Sequence, residues 1–218
     1  MKRFRIKIAG ASGGGILSTG EMITKALKNL GYYVVAEREY PSVIKGGHAC
    51  FNINISDSPI KALREKVNVL MSVDLFSLQV YFDCLENGGV LVHGNERVIG
   101  IKELAEKIAE RGTRVVNLPA RTIALDEGGN VLMVNVVLIG MLWKAMGLKY
   151  EDIEREVTEK FKDKPRLLAI DLKCLKAGYD KAEKVIDLEK SFQESFLGKV
   201  AKENNFEIVS HTFEVYGL

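Results

Sequence analysis

The pattern of hydrophobic and polar positions along the first 56 residues predicts strands around one helix. Residues 4–9 alternate basic and apolar side chains and stop at a glycine, which is typical of a strand that runs into a turn. Residues 16–30 carry apolar side chains at helical spacing and also end at a glycine, a common helix stop. Residues 32–36 and 49–56 have strand patterns. We therefore expect a strand, a loop, a helix and a strand, with a right-handed crossover between parallel strands.

The rest of the chain continues this alternation. Strands are predicted at 67–73, 90–93 and 114–118, and helices at 75–85, 101–111, 131–146, 150–161 and 165–185. The almost wholly apolar helix at 131–146 is too short for a membrane and suits burial inside the domain or against a partner. Alternating strands and helices predict an α/β fold with three layers, α/β/α, around a mostly parallel, Rossmann-like sheet. We assign one domain to residues 1–187 and a C-terminal extension to residues 188–218.

The composition argues against several classes of function. Thirty-one basic and 29 acidic residues are interspersed and leave a net charge of +2, so no patch indicates nucleic acid or an anionic membrane surface. The three cysteines lack the spacing of a disulfide framework, a zinc site or an iron–sulfur cluster. The first residues do not resemble a signal peptide, and no segment reaches the roughly 20 apolar residues that cross a bilayer. We expect a cytoplasmic protein.

A glycine-rich turn, Gly-Ala-Ser-Gly-Gly-Gly at 10–15, lies between the first strand and the first helix. Glycines there let backbone amides and a helix N-terminus approach an anion, which suits a phosphate. The spacing is neither the G-x-G-x-x-G of a dinucleotide-binding turn nor a P-loop, although Glu37 stands near the position of a ribose-binding carboxylate in such folds. A tight turn without a ligand, or a contact with another subunit, explains the glycines equally well.

Residues 37–48 show neither the helical nor the strand period of apolar side chains and are predicted to form a long loop. Long loops of this kind are often functional. Lys45 suits a carboxylate or phosphate, and imidazole groups exchange protons near neutral pH, which makes His48 a candidate acid or base. Alternatively, Gly46 and Gly47 only permit a sharp entry into the next strand, Lys45 is solvated and His48 is structural. Since ligands of α/β sheets bind beyond the carboxyl ends of strands, we expect the turn and this loop along one edge.

No other constellation of chemically active residues stands out by spacing. His93 and His211 stand alone and are predicted to be structural or solvated. The carboxylates lie mainly on charged helix faces, which is typical of solvated surface. Serine, histidine and aspartate do not occur in an arrangement that indicates nucleophilic catalysis.

The order of the motifs resembles that of one enzyme family. The Gly-x-Gly-Ile at 13–16, followed by Glu-Tyr-Pro-Ser-x-Ile-[basic]-Gly-Gly-His at 39–48, resembles the gamma domain of 2-oxoacid:ferredoxin oxidoreductases. The version at the N-terminus of the fused alpha subunit of 2-oxoglutarate-type enzymes is the most similar. Asn135 and the Ala-Gly-Tyr at 177–179 resemble later landmarks of that domain. The resemblance covers roughly residues 4–182.

The resemblance implies a non-catalytic, gamma-type subunit of an enzyme that oxidatively decarboxylates a 2-oxoacid such as pyruvate or 2-oxoglutarate, forms acyl-coenzyme A and reduces ferredoxin. In the family, thiamine diphosphate with Mg²⁺ and the iron–sulfur clusters belong to the alpha, beta and ferredoxin-like subunits, which would be the partners of this chain. A homodimer is left open. The chain itself is expected to bind no cofactor securely. Six residues match motif positions and are the candidate cofactor-binding residues, without a catalytic role: Gly13, Gly15, Lys45, Gly46, Gly47 and His48.

Three departures from the family pattern leave the particular 2-oxoacid undecided. Gly14 stands where many gamma domains have glutamine, Lys45 where many have arginine, and Asp171 where asparagine is expected. The small subunit of an indolepyruvate ferredoxin oxidoreductase is the nearest alternative, although its loop usually differs from Tyr-Pro-Ser. A free-standing dinucleotide-binding module, based on residues 10–15 and Glu37, and a purely structural dimer are the alternatives from other classes.

Overall fold

A six-stranded sheet forms the centre of the residues that the computed structural model describes, which are 3–39, 47–61, 65–95, 102–188 and 190–192. Its strands are β1 (Arg3–Ala11), β2 (Tyr33–Glu39), β3 (His48–Ser56), β4 (Val67–Ser72), β5 (Leu85–His93) and β6 (Arg114–Asn117). They lie in the order β2-β3-β1-β4-β5-β6. β3 is antiparallel to both neighbours and the other adjacent pairs are parallel. The predicted mostly parallel sheet is confirmed.

The position of β3 differs from the simple parallel crossover that the sequence indicated. β1 and β2 run in the same direction, but β3 lies between them and pairs with both. The reason is the length of the connection. Only residues 40–47 separate β2 from β3, whereas parallel neighbours require a crossover of about a dozen residues or more, so β3 returns beside β2 in the opposite direction.

Seven α-helices connect or follow these strands within the described ranges. They are α1 (Ile16–Asn29), α2 (Leu75–Tyr81), α3 (Lys102–Glu110), α4 (Ala120–Gly128), α5 (Val134–Ala145), α6 (Tyr150–Phe161) and α7 (Pro165–Lys181). Short 3₁₀ turns occupy Phe82–Cys84 and Val131–Met133. The bounds of α6 are the predicted ones. The single helix predicted at 75–85 is wrong at its end, because the chain tightens after Tyr81 and β5 already begins at Leu85.

The helices cover the two faces of the sheet and complete the three predicted layers. On one face, Ile8, Ile53 and Met71 belong to a large core that also contains residues of α1, α4, α5, α6 and α7. On the other face, Leu70 and Leu91 belong to a smaller core with residues of α2 and α3. In β1, β3, β4 and β5, neighbouring apolar residues enter opposite cores, as the two-residue period of a strand requires.

Helix α5 occupies the middle of the large core. The sequence left open whether its apolar surface faces the domain or a partner, and the structure decides for the domain, since nine of its twelve residues are buried. Its backbone approaches α7 so closely that a Cβ at Gly140 would lie 2.7 Å from the nitrogen of Tyr179. Most of α5 is therefore covered by the domain itself and is not available to a partner. No helix in the described part of the chain is long and apolar enough to cross a bilayer.

Asp171 is a buried acid on α7. The residue is 2% exposed and its Oδ2 has no hydrogen-bond partner. Burial in this apolar surrounding raises the pKa of the carboxyl to about 6, because ionisation there forfeits hydration. The unfolded chain, with an ordinary pKa of about 3.9, releases the proton earlier. Ionisation of Asp171 therefore lowers the free energy of unfolding as the pH rises from about 4 to about 6, and the loss persists above that range.

We predict that Asp171→Asn stabilises the protein at pH 8. The amide removes the cost of ionisation, and the gain in the free energy of unfolding should be about 2–3 kcal/mol at pH 8 and close to zero at pH 4. Urea unfolding followed by circular dichroism at both pH values measures it. The exposed Asp163→Asn is the control and should change neither value. A gain of equal size at both pH values would contradict the explanation.

Candidate functional site

The glycine-rich turn lies between β1 and α1 as predicted, at the carboxyl edge of the sheet. Gly13 and Gly15 have positive φ angles, 84° and 78°, which a residue with a side chain adopts only with strain. Residues 11–15 are exposed, and α1 begins without a side-chain cap. The amides of Gly13 and Gly15 donate to no described residue. This turn therefore offers free backbone donors beside the N-terminus of a helix.

The start of β3 lies beside this turn. His48 is opposite Ala11 in the pairing of β1 with β3, and the amide of Ser12 donates to the carbonyl of Gly47 over 2.9 Å. The edge shared by the turn and the end of the predicted loop is thus present. Residues 40–46, which include the candidates Lys45 and Gly46, lie outside the described residues.

Asp74, which the sequence interpretation missed, joins the turn to the helix after β4. It caps the N-terminus of α2, with Oδ1 accepting from the amide of Ser77 over 2.7 Å. Its Oδ2 accepts from the amide of Ala11 over 2.9 Å and from the hydroxyl of Ser77 over 3.1 Å. Asp74 comes shortly after a buried strand and three residues before Ser77. An aspartate at such a position is a typical helix-capping signal, which could have identified this residue from the sequence.

His48 is attached to the same group of residues. Its Nδ1 lies 2.9 Å from Oγ of Ser77, and its ring stacks on Phe76 with centroids 4.1 Å apart. Phe76 is itself 55% exposed, so the stacked pair lies at the surface. His48 is partly exposed, and its Nε2 has no partner among the described residues. Within the described residues, the ring is thus held through Nδ1 and stacked on Phe76, and Nε2 makes no hydrogen bond.

A cleft of about 570 Å³ opens between the glycine turn and the large-core side of the sheet. The residues around it come from the ends of β1, β4 and β5 and from α4 and α5, and they include Gly13, Gly14, Gly15, Asp74, Asn95, Arg121, Leu132 and Asn135. It lies where the connections leave β1 and β4 for opposite faces of the sheet, the usual ligand position in this fold class. The cleft was not predicted as such, because α4 was not recognised.

Two polar side chains give the cleft its chemistry. Asn135, at the start of α5, donates from Nδ2 to the carbonyl of Gly14 and so fixes the turn. Arg121, in the first turn of α4, is exposed and has no ion pair or hydrogen bond with the described residues. An unpaired guanidinium beside free backbone amides suits an anion, above all a phosphate or carboxylate.

The other predicted polar residues have structural roles or none in the cleft. Glu37 lies on β2, which β3 separates from β1 and its glycine turn. Its carboxylate forms an ion pair with Arg5 over 3.4 Å and does not contact the turn. His93 is buried at the end of β5, where burial lowers its pKa to about 4 and keeps it neutral. In the described ranges no three His, Cys, Asp or Glu side chains are grouped as metal ligands, and the three cysteines are unpaired.

Comparison with known families identifies the domain. The family model described as pyruvate ferredoxin/flavodoxin oxidoreductase matches residues 5–181. Subunit alpha of 2-oxoacid:ferredoxin oxidoreductase 2 from Aeropyrum pernix is 26% identical in an alignment 209 residues long. The match covers 79% of this chain and 33% of the relative. The 2-oxoglutarate synthase subunit KorC from Methanothermobacter marburgensis is 30% identical, with 67% of this chain and 79% of the relative covered. The indolepyruvate oxidoreductase subunit IorB from Archaeoglobus fulgidus is 25% identical, with 83% and 96% covered.

Solved structures agree with these similarities. Pyruvate oxidoreductase subunit PORC from Thermotoga maritima superposes with a TM-score of 0.67 at 25% identity, over 83% of this chain and 97% of that subunit. A chain of the Magnetococcus marinus 2-oxoglutarate:ferredoxin oxidoreductase, solved with 2-oxoglutarate, coenzyme A and succinyl-CoA bound, gives 0.73 at 22% identity, over 86% of this chain and 32% of that one. At 22% identity, the similarity to the Magnetococcus chain supports the fold alone. The family match nevertheless covers most of the sequence, and the chain belongs to the pyruvate ferredoxin/flavodoxin oxidoreductase family.

Proposed function

We propose that this chain is the gamma-type subunit of a 2-oxoacid:ferredoxin oxidoreductase and works only in a larger assembly, in the cytoplasm. The chain corresponds to a third of the Aeropyrum alpha subunit and to nearly the whole length of the Thermotoga subunit PORC, and the likeness to PORC supports the role of a gamma-type part. Alpha-, beta- and ferredoxin-like partners would supply thiamine diphosphate with Mg²⁺ and the iron–sulfur clusters, which carry out the decarboxylation and transfer the electrons to ferredoxin.

Within that assembly, we assign this chain the binding of an anionic group at the carboxyl edge of its sheet. The observation that carries this role is the juxtaposition of the free amides of Gly13 and Gly15 with the unpaired guanidinium of Arg121 around one cleft. Lys45 and Gly46 would add to the same anion site from the segment before β3. Coenzyme A, which is bound in the Magnetococcus enzyme, is the ligand we propose, through one of its phosphates.

An indolepyruvate-type enzyme is the second candidate, because the match to subunit IorB extends over nearly all of that protein. A free-standing dinucleotide-binding module has less support. The carboxylate that would bind a ribose, Glu37, is paired with Arg5, and β3 separates its strand from β1.

We predict that the tagged chain, recovered from native extract, elutes in a complex far larger than its 24.2 kDa. The complex should contain thiamine diphosphate and iron and should reduce methyl viologen when a 2-oxoacid and coenzyme A are added, whereas the isolated chain should not. Comparison of pyruvate, 2-oxoglutarate and indolepyruvate as substrates separates the subclasses. Recovery as a lone monomer, or turnover by the purified chain alone, would exclude the proposal.

We further predict that Gly15→Ala weakens coenzyme A binding to the assembled enzyme by about tenfold, equal to ~1.4 kcal/mol. The residue has a positive φ, and its new Cβ would lie 2.8 Å from Nδ2 of Asn135, so the turn must move and its amides turn away from the anion. Isothermal titration calorimetry measures the affinity.

Gly112→Ala is the matched control for this experiment. Gly112 also has a positive φ, 59°, but a Cβ there meets nothing within 4 Å and the residue lies in the turn between α3 and β6. It carries a comparable backbone strain and should leave the affinity unchanged. Equal losses in both variants would mean that the effect is one of stability. Titration with NAD and NADP tests the dinucleotide alternative in the same instrument.

A further inference from the structure

The hydroxyl of Ser77 links His48 to Asp74, and the direction of its hydrogen bonds can be worked out. Ser77 has a single hydroxyl proton, and it donates that proton to Oδ2 of Asp74 over 3.1 Å. Oδ2 acts as an acceptor at this position, and it also accepts from the amide of Ala11. Oγ of Ser77 is therefore left as an acceptor toward the imidazole.

His48 must supply the proton of its bond to Ser77. Nδ1 lies 2.9 Å from Oγ, so Nδ1 carries the hydrogen and donates it. A neutral imidazole has one N–H, and the proton on Nδ1 leaves Nε2 with a free lone pair. Stacking on Phe76 fixes the plane of the ring, and with it the direction of that lone pair.

We infer that His48 presents Nε2 as a hydrogen-bond acceptor to a thiol or hydroxyl group of the ligand, with Ser77 and Asp74 as its positioning residues. The existence of this ligand rests on the proposed function. A nitrogen that offers a lone pair accepts a hydrogen bond and does not bind an anion, so Nε2 of His48 is distinct from the anion-binding groups of the turn. The ligand would donate an O–H or S–H hydrogen bond to His48 at the edge of the sheet where β3 begins beside the end of β1.

The second described histidine provides an internal reference of opposite type. At His93, the amide of Asn95 donates to Nδ1 over 3.2 Å, so Nδ1 is the acceptor and the hydrogen of the neutral ring is on Nε2. Burial lowers the pKa of this ring to about 4, so it stays neutral at pH 7.5. One protein thus contains two histidines that should show opposite tautomers.

Nuclear magnetic resonance of the full chain labelled with ¹⁵N-histidine tests the inference. At pH 7.5, the neutral ring of His48 should show a proton-bearing Nδ1 and a pyridine-type Nε2, and His93 the reverse. His48→Gln and His93→Gln assign the signals among the three histidines of the sequence. A neutral His48 with its proton on Nε2, or one with the tautomer mixture of free imidazole, would overturn the inference.

Ser77→Ala removes the acceptor of the Nδ1 proton and should move His48 toward the Nε2–H tautomer, with loss of the pyridine-type Nε2 signal. Ser58→Ala is the matched control, because it deletes a serine hydroxyl in the turn after β3 that has no contact with His48. It should leave the spectrum of His48 unchanged. An unchanged signal in Ser77→Ala would show that Ser77 does not position the ring.

Diethyl pyrocarbonate, which modifies the unprotonated and accessible nitrogen of imidazole, provides a second readout. His48, which is partly exposed, should be modified at Nε2, and His93, only 1% exposed, should be spared. Resistance of His48 would overturn the inference that Nε2 is available to a ligand. Both measurements use the chain without partners, so a failure to assemble an oxidoreductase would remove the proposed function and leave the tautomer result standing.

Discussion

The carboxylate of Asp74 is the contact on which the candidate site depends. It accepts from the backbone of Ala11 at the end of β1 and from the backbone and hydroxyl of Ser77 at the start of α2, and so ties two neighbouring strand ends together. Without it, the amide of Ala11 would lose its acceptor within the protein, and the buried amide of Ser77 would be left unsatisfied. The glycine turn and the support of His48 are thus fixed by one side chain.

The insertion of an antiparallel strand gives the site its second half. Because β3 returns between β2 and β1, its first residue meets the last residue of β1, and Gly47 and His48 arrive beside the glycine turn. A fully parallel arrangement would place the start of β3 at the opposite edge of the sheet. The short connection after β2, which forces the antiparallel return, is therefore the reason that the turn and the histidine share one edge.

Two landmarks of the resemblance have a physical explanation in the packing. Asn135 holds the glycine turn through the carbonyl of Gly14, which couples the start of α5 to the site. At Gly178, a Cβ would lie 2.9 Å from the carbonyl carbon of Val137, so only glycine lets α7 lie against α5. Asp171 lies on the same helix, at the position where the resemblance led us to expect asparagine, and ionisation of its buried carboxyl has a cost that an amide would avoid.

The sequence by itself determined the local elements and the glycine turn, because these follow from short-range rules. The apolar periods of α1 and α6, the glycine after α1 and the positive-φ positions at Gly13 and Gly15 are properties of a few adjacent residues, and Gly13 and Gly15 also belong to a motif that carries the family resemblance. Helix α4 escaped recognition because only Ala120, Ile123 and Ala124 are buried in it, too few to produce a clear helical period. The tertiary structure alone decided the place of β3, the burial of α5 and the meeting of Asp74, Ser77 and His48. Those outcomes depend on contacts between distant residues, 63 positions apart for Ala11 and Asp74 and 121 for Gly14 and Asn135, which no local pattern encodes.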